Sequence, residues 1–163
     1  MSMERARAWL TTFGLEDRIQ EFTESSATVE LAAQRLGTEP ERIAKTLSFL
    51  VDDSAILIVA AGDVKVDNSK YKAMFHTKAK MLSHDQVEPL TGHMVGGVCP
   101  FGVKEGVRVY LDESLRRFST VFPAVGTASS AIELTIPELE QVSGYVSWVD
   151  VCKPMTPAQT VSQ

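Results

Sequence analysis

Two apolar stretches of strand length, Thr46 to Leu50 and Ile56 to Ala60, are separated by the acidic turn segment Asp52-Asp53-Ser54. This pair constrains the fold more than any other segment. Turn-forming residues between two apolar runs predict a hairpin buried in the interior, and the rest of the chain must cover it. At 163 residues the chain suits one domain, a size that buries roughly two-thirds of its unfolded surface without disulfide or metal staples.

Around the hairpin the sequence alternates helix and strand signals. Ala6, Leu10 and Phe13 share one face of a helix expected over Met3 to Phe13 with Gly14 as its stop,. Thr28 caps a helix from Val29 to Leu36 that ends at Gly37, and Thr38-Glu39-Pro40-Glu41 reads as a capping box opening a second short helix,. Helices are also expected over Asp67 to Phe75, after Ser83-His84-Asp85-Gln86, from Asp112 through Arg117, and from Thr135-Ile136-Pro137-Glu138 to Ser143-Gly144,. Strands are expected at Val107 to Leu111, Thr120 to Val125, Ala131 to Ile136 and Tyr145 to Val151, with a polar tail from Pro154,. No repeat or linker interrupts the mixture. The expected architecture is one α/β domain, residues 1–153, with a mixed sheet and peripheral helices, followed by a tail over 154–163,.

Composition narrows the function classes. The longest apolar run, Ala55 to Ala61, is far below the ~20 residues that cross a bilayer, and the first residues lack a secretory apolar core, so a cytoplasmic address with no membrane partner is expected,. Cys99 and Cys152 are widely spaced and form no CxxC, which favours neither a disulfide framework nor a zinc knuckle,. His76, His84, His93 and Cys99 also lack metal-ligand spacing, so neither a metal nor another cofactor is expected,. A net charge of -5 opposes a protein that coats DNA or RNA nonspecifically, because counterion release needs many cationic contacts; no DNA partner is expected,.

Four segments can carry chemistry. Gly92 to Gly102 holds four glycines and a proline in eleven residues. Such a backbone either makes a tight connection or offers free N–H groups to an ester oxygen. Lys45, before an apolar strand, is either an exposed structural lysine or a cation held at a cleft for a phosphate or ribose hydroxyl,. Lys65, Lys70, Lys72, Lys78 and Lys80 are interleaved with Tyr71, Phe75 and His76, as on a solvated helix face or on a surface that holds an RNA end,. Gly126-Thr127-Ala128-Ser129-Ser130 is either a hairpin turn or a pocket wall for a small side chain,. His93 lies six residues before Cys99, which raises a cysteine nucleophile as a further reading; no orienting third residue accompanies the pair,.

Ile43-Ala44-Lys45-Thr46-Leu47, Gly96-Gly97-Val98-Cys99-Pro100-Phe101-Gly102 and Gly126 through Leu134, taken together, resemble the YbaK/ProX family of bacterial aminoacyl-tRNA deacylases. That family includes the editing domain of bacterial prolyl-tRNA synthetases. The likeness runs from about Met3 to Lys153. It implies a mixed sheet curved around a small pocket, and hydrolysis, without a metal, of the ester joining a small mischarged amino acid to the 3′ end of tRNA. By position it implies catalytic roles for Lys45, Gly96, Gly97, Val98, Cys99 and Pro100, and a substrate-binding wall at Gly126, Thr127, Ser129 and Ser130. Lys70 and Lys72 are expected to bind substrate. Many members carry serine where this chain has Cys99. The implied partners are the aminoacyl-tRNA acceptor end and an aminoacyl-tRNA synthetase. A noncatalytic tRNA- or synthetase-binding module with the same fold is the alternative.

Overall fold

A computed structural model describes residues 2–23 and 28–155. In chain order it contains α1 (Ser2–Thr11), β1 (Gln20–Glu21), α2 (Val29–Leu36), β2 (Ile43–Val51), β3 (Ser54–Ala61), β4 (Val64–Val66), α3 (Asn68–Phe75) and α4 (His84–Thr91). There follow β5 (Arg108–Asp112), β6 (Thr120–Pro123), β7 (Ser130–Ala131), β8 (Leu134–Thr135), α5 (Ile136–Ser143), β9 (Ser147–Val149) and β10 (Cys152–Pro154).

The expected hairpin is β2–β3, paired antiparallel from Ala44↔Ala61 to Val51↔Ser54. Its connection is Asp52-Asp53, both at positive φ, and Ser54 already belongs to β3. Two consecutive left-handed residues match the right-handed twist of the flanking strands, and aspartate tolerates that conformation. The hairpin is the centre of a six-stranded mixed sheet of order β8-β6-β2-β3-β5-β9, in which β2–β6, β3–β5 and β5–β9 run parallel. The sheet curls into a half-barrel within a single α/β domain, as the sequence leads one to expect. Every residue of β3 after Ser54 is buried, because helices and loops cover both of its faces,. Phe49, Tyr71, Phe75 and Tyr110 stack in sequence on one of them, with centroids 4.8–5.1 Å apart,.

Local capping chemistry placed most helices. Thr28 accepts from Leu31 N–H, Asp67 from Ser69 and Lys70, and Thr135 and Glu138 form a reciprocal box,. Asp112 does more than cap: one carboxylate oxygen takes Ser114 N–H and the other Val151 N–H, tying β5 to the chain after β9.

Four expectations are corrected. Thr38 opens no helix: its N–H returns to Ala33 O, closing α2 behind Gly37, so it serves the preceding end, and Pro40–Arg42 forms one 3₁₀ turn without a side-chain cap,. Ala131 to Ile136 is not one strand, since β7 pairs with β1, β8 with β6, and Thr135 is taken as the α5 cap. Tyr145 to Val151 contributes only Ser147–Val149. The chain at Pro154 is not yet tail, because β10 pairs with β4 through Pro154↔Val64; residues 156–163 lie outside the described residues. No helix among the described residues is long and apolar enough to cross a membrane.

Candidate active site

The site begins with an incomplete strand edge. On the side away from β3, Ile43 and Ala44 of β2 pair with β6. Further along, Leu50 N–H donates to Lys80 O (2.8 Å) and Leu82 N–H to Ser48 O (3.1 Å). Between these, at 45–47, no strand among the described residues covers the edge, and a cavity of about 430 Å³ opens there, within the ~300–1,000 Å³ range of ligand sites.

Alternation along β2 divides its side chains. Ile43 packs with Ala33 of α2 and Phe49 with Tyr71 on one face, whereas Leu50 packs with Leu82 and Val87 on the other,. Lys45 therefore leaves on the α2 side, and Thr46 and Ser48 on the side of Leu82 and Val87; all three border the cavity, which spans the open edge. Across it stand Val95, Gly96 and Val98 of the glycine-rich loop, with Thr127, Ala128 and Ser130 beyond.

Lys45 is the third residue of β2 rather than a residue before it. Its ammonium donates to Val64 O. Burial holds its pKa below the ordinary lysine range, against the opposing influence of Cys152, Asp63 and Glu30,. Among the described residues no carboxylate lies at ion-pair distance from it. A half-buried cation without a bound counter-charge is a poor structural element and a good anion or hydroxyl contact.

The neighbouring glycines have different reasons to be glycine. Gly96 is exposed, has φ +87°, borders the cavity, and has room for a Cβ 3.7 Å from that of Ala128. Gly97 has no such backbone demand; its N–H closes a turn onto Met94 O (3.0 Å), and a Cβ there would overlap Gly126 O. Gly126 in turn sits against Ser2 O, where a Cβ would fall 2.5 Å away. The two glycine loops thus touch backbone to backbone, backed by the start of α1. Among the described residues the N–H groups of Gly96 and Val98 meet no acceptor, and both residues line the cavity,.

Cys99 and Pro100 lie beneath this surface, buried and off the cavity. Burial pushes the Cys99 thiol up to about 12, despite backbone groups of Phe101 and Gly126 that lower it,. His93 Nε2–H donates to Phe101 O (2.7 Å), and its Nδ1 accepts from the Ser2 hydroxyl (2.9 Å), which accepts from Met94 N–H (3.2 Å). That network fixes the tautomer; the Cys99 sulfur lies 3.6 Å from Nε2, whose proton is already committed, and burial favours neutral imidazole,. The pair holds the loop and supplies no thiolate. Iodoacetamide is therefore expected to leave the folded protein unmodified at Cys99 and Cys152, both buried, by intact mass; rapid alkylation at neutral pH would contradict it.

Of the substrate-wall residues, Thr127 and Ser130 border the cavity and Gly126 and Ser129 do not. The Ser130 hydroxyl is internally committed, donating to Thr127 O and accepting Val125 N–H (3.1 Å each). Lys70 and Lys72 are also off the cavity. Lys70 binds Asp150 and Cys152 O (3.0 Å each), and Lys72 borders a separate depression with Lys78. The packing of Tyr71 into the core turns these flanking lysines outward. Missed from sequence were Ser48 and the wall of Met81, Leu82, His84 and Val87; the Ser83 cap located the helix, while nothing local said which edge it would cover.

The model of the aminoacyl-tRNA editing domain matches residues 23–142, which include every cavity-lining residue named above. The chain belongs to the aminoacyl-tRNA editing domain family. Within the family, YwhH of Bacillus subtilis, an uncharacterized protein, is 53% identical over 94% of this chain and 98% of its own length. EbsC of Enterococcus faecalis, a candidate Cys-tRNA(Pro)/Cys-tRNA(Cys) deacylase, is 31% identical over 69% of this chain and 70% of its own. Proline–tRNA ligase of Leuconostoc citreum is 30% identical over 63% of this chain, but over only 18% of the ligase. The crystal structure of a candidate trans-editing enzyme for prolyl tRNA synthetase superposes with a TM-score of 0.84 at 29% identity, covering 93% of this chain and 97% of that one. The fold is thus shared with that candidate trans-editing enzyme.

Proposed function

We propose that this chain is an aminoacyl-tRNA deacylase, acting in trans in the cytoplasm on a small amino acid esterified to the wrong tRNA. The observation that carries the reading is that Lys45, without a carboxylate partner among the described residues, and Gly96 and Val98, whose N–H groups have no acceptor among those residues, border one cavity. A cation for the terminal nucleotide and two donors for a developing oxyanion are what ester hydrolysis at a tRNA end requires. Water attacks the carbonyl carbon, the bond to the ribose oxygen breaks, and the proton from water passes to that oxygen; the neighbouring ribose hydroxyl can relay it. Alignment and oxyanion stabilisation each contribute several kcal/mol in favourable sites, so the step needs neither a metal nor a side-chain base. A synthetase pocket separates amino acids differing by one small group by only about 1–3 kcal/mol, which leaves work for a second hydrolytic sieve.

The test is a panel of one tRNA charged in turn with cysteine, alanine, serine, threonine and proline. Release of many equivalents of at least one amino acid per protein is expected. Retention of every ester at the uncatalysed rate would leave a binding module instead.

A further inference from the structure

Ser48 offers the cavity a hydroxyl without a partner among the described residues. It lies inside β2, between Leu47 and Phe49, is only 7% exposed, and borders the cavity. Its oxygen is not among the buried unpaired polar atoms, so it is open to whatever fills the cavity. Strand alternation aims it toward Leu82 and Val87, buried and apolar, which contribute no hydrogen-bonding side chain. The other deeply buried cavity hydroxyl, Ser130, already donates and accepts internally. Thr46, on the same face, is half-buried and within reach of water.

The cavity lining is part exposed and part buried. Met81, 59% exposed, and Val95, 45% exposed, face solvent, while Ser48, like Leu82, Val87, Phe122 and Ser130, belongs to its buried lining. A nucleotide still joined to a tRNA has to remain on the solvent side, so the esterified amino acid meets the buried lining. We infer that the Ser48 hydroxyl binds the side chain of that amino acid and biases the site toward a hydroxyl-bearing residue of serine size over alanine. This rests on the deacylase reading above. An apolar pocket alone barely distinguishes a side chain that adds a hydroxyl, whereas a buried hydrogen-bonding group left unpaired discriminates against the analogue that lacks one.

The experiment measures kcat/KM on one tRNA carrying either serine or alanine, for wild type, Ser48→Ala and the near-isosteric Ser48→Cys, with melting curves for each. The wild type is expected to prefer the seryl ester. Ser48→Ala is expected to lose about tenfold on it while changing alanyl turnover by less than about twofold, with Ser48→Cys intermediate. Equal losses on both esters would assign the hydroxyl to a feature common to all aminoacyl groups, such as the ammonium, and overturn the inference. Unchanged turnover on both would overturn it as well. Absence of wild-type turnover on either ester and across the full panel would remove the deacylase reading itself, and this inference with it.

Discussion

If the chain hydrolyses aminoacyl-tRNA as proposed, Lys45→Ala is expected to lower kcat/KM by about a hundredfold, the loss that follows when a charged hydrogen bond worth roughly 1.5–3 kcal/mol disappears. Lys45→Arg does not restore it, since a planar fork cannot replace a compact ammonium in a half-buried slot beside Val64 O,. Stability separates this role from a structural one. Burial lowers the folded-state pKa of Lys45 below its unfolded value. Below the folded pKa the lysine is charged in both states and the burial penalty is present in full. As pH rises from the folded value toward the unfolded one, folding releases the proton and the penalty fades. Lys45→Met, which removes the penalty, is therefore expected to melt no lower than wild type near pH 7, and to lose any advantage under alkaline conditions. Unaltered turnover in Lys45→Ala would take Lys45 out of the mechanism; a large fall in the Tm of Lys45→Met would make it a structural residue.

What could be read from the sequence was what adjacent residues decide. Thr28, Asp67 and Asp112 cap helices by bonding N–H groups two or three residues ahead, and the Asp52-Asp53 turn sets its own hairpin. Thr38 shows how this fails: a residue with two possible local roles takes the one that its predecessor's geometry imposes. The site's composition depended on distant partners. Lys70 resembles a free cation until Asp150, eighty positions later, lies beside it, and Gly97 resembles a ligand-facing glycine until Gly126 arrives against it. Ser48 gave no signal at all, because a serine within an apolar strand is noteworthy only once its hydroxyl has no partner and a cavity in front. Lys45 and Gly96 border one cavity, and nothing in the sequence said which residues of the glycine-rich loop would face it.

The contact between the two glycine loops predicts the largest stability effect. At Gly97 the backbone is not left-handed, so the requirement for glycine is steric alone: a Cβ would overlap Gly126 O and approach Thr127 N at 2.6 Å. Those obstacles are main chain, and Gly126 is itself pressed against Ser2 O, so neither loop can retreat without displacing α1. Gly97→Ala is expected to lose about 3 kcal/mol, the upper part of the range for overpacking, or roughly 6–12 °C in Tm for a chain of this length. Gly106 supplies the opposite case, with φ +92° and nothing within 4 Å of a Cβ, so Gly106→Ala measures backbone strain alone, about 1–2 kcal/mol,. Activity separates the pair further. Displacing the Gly97 turn moves the Gly96 and Val98 N–H groups, and a misplacement of about 1 Å can cost on the order of a hundredfold; Gly106→Ala, remote from the cavity, should hydrolyse at the wild-type rate when assayed below its Tm. If Gly97→Ala melted with wild type and kept full activity, the loops would not be in contact, and the two backbone donors would have no fixed position from which to meet an oxyanion.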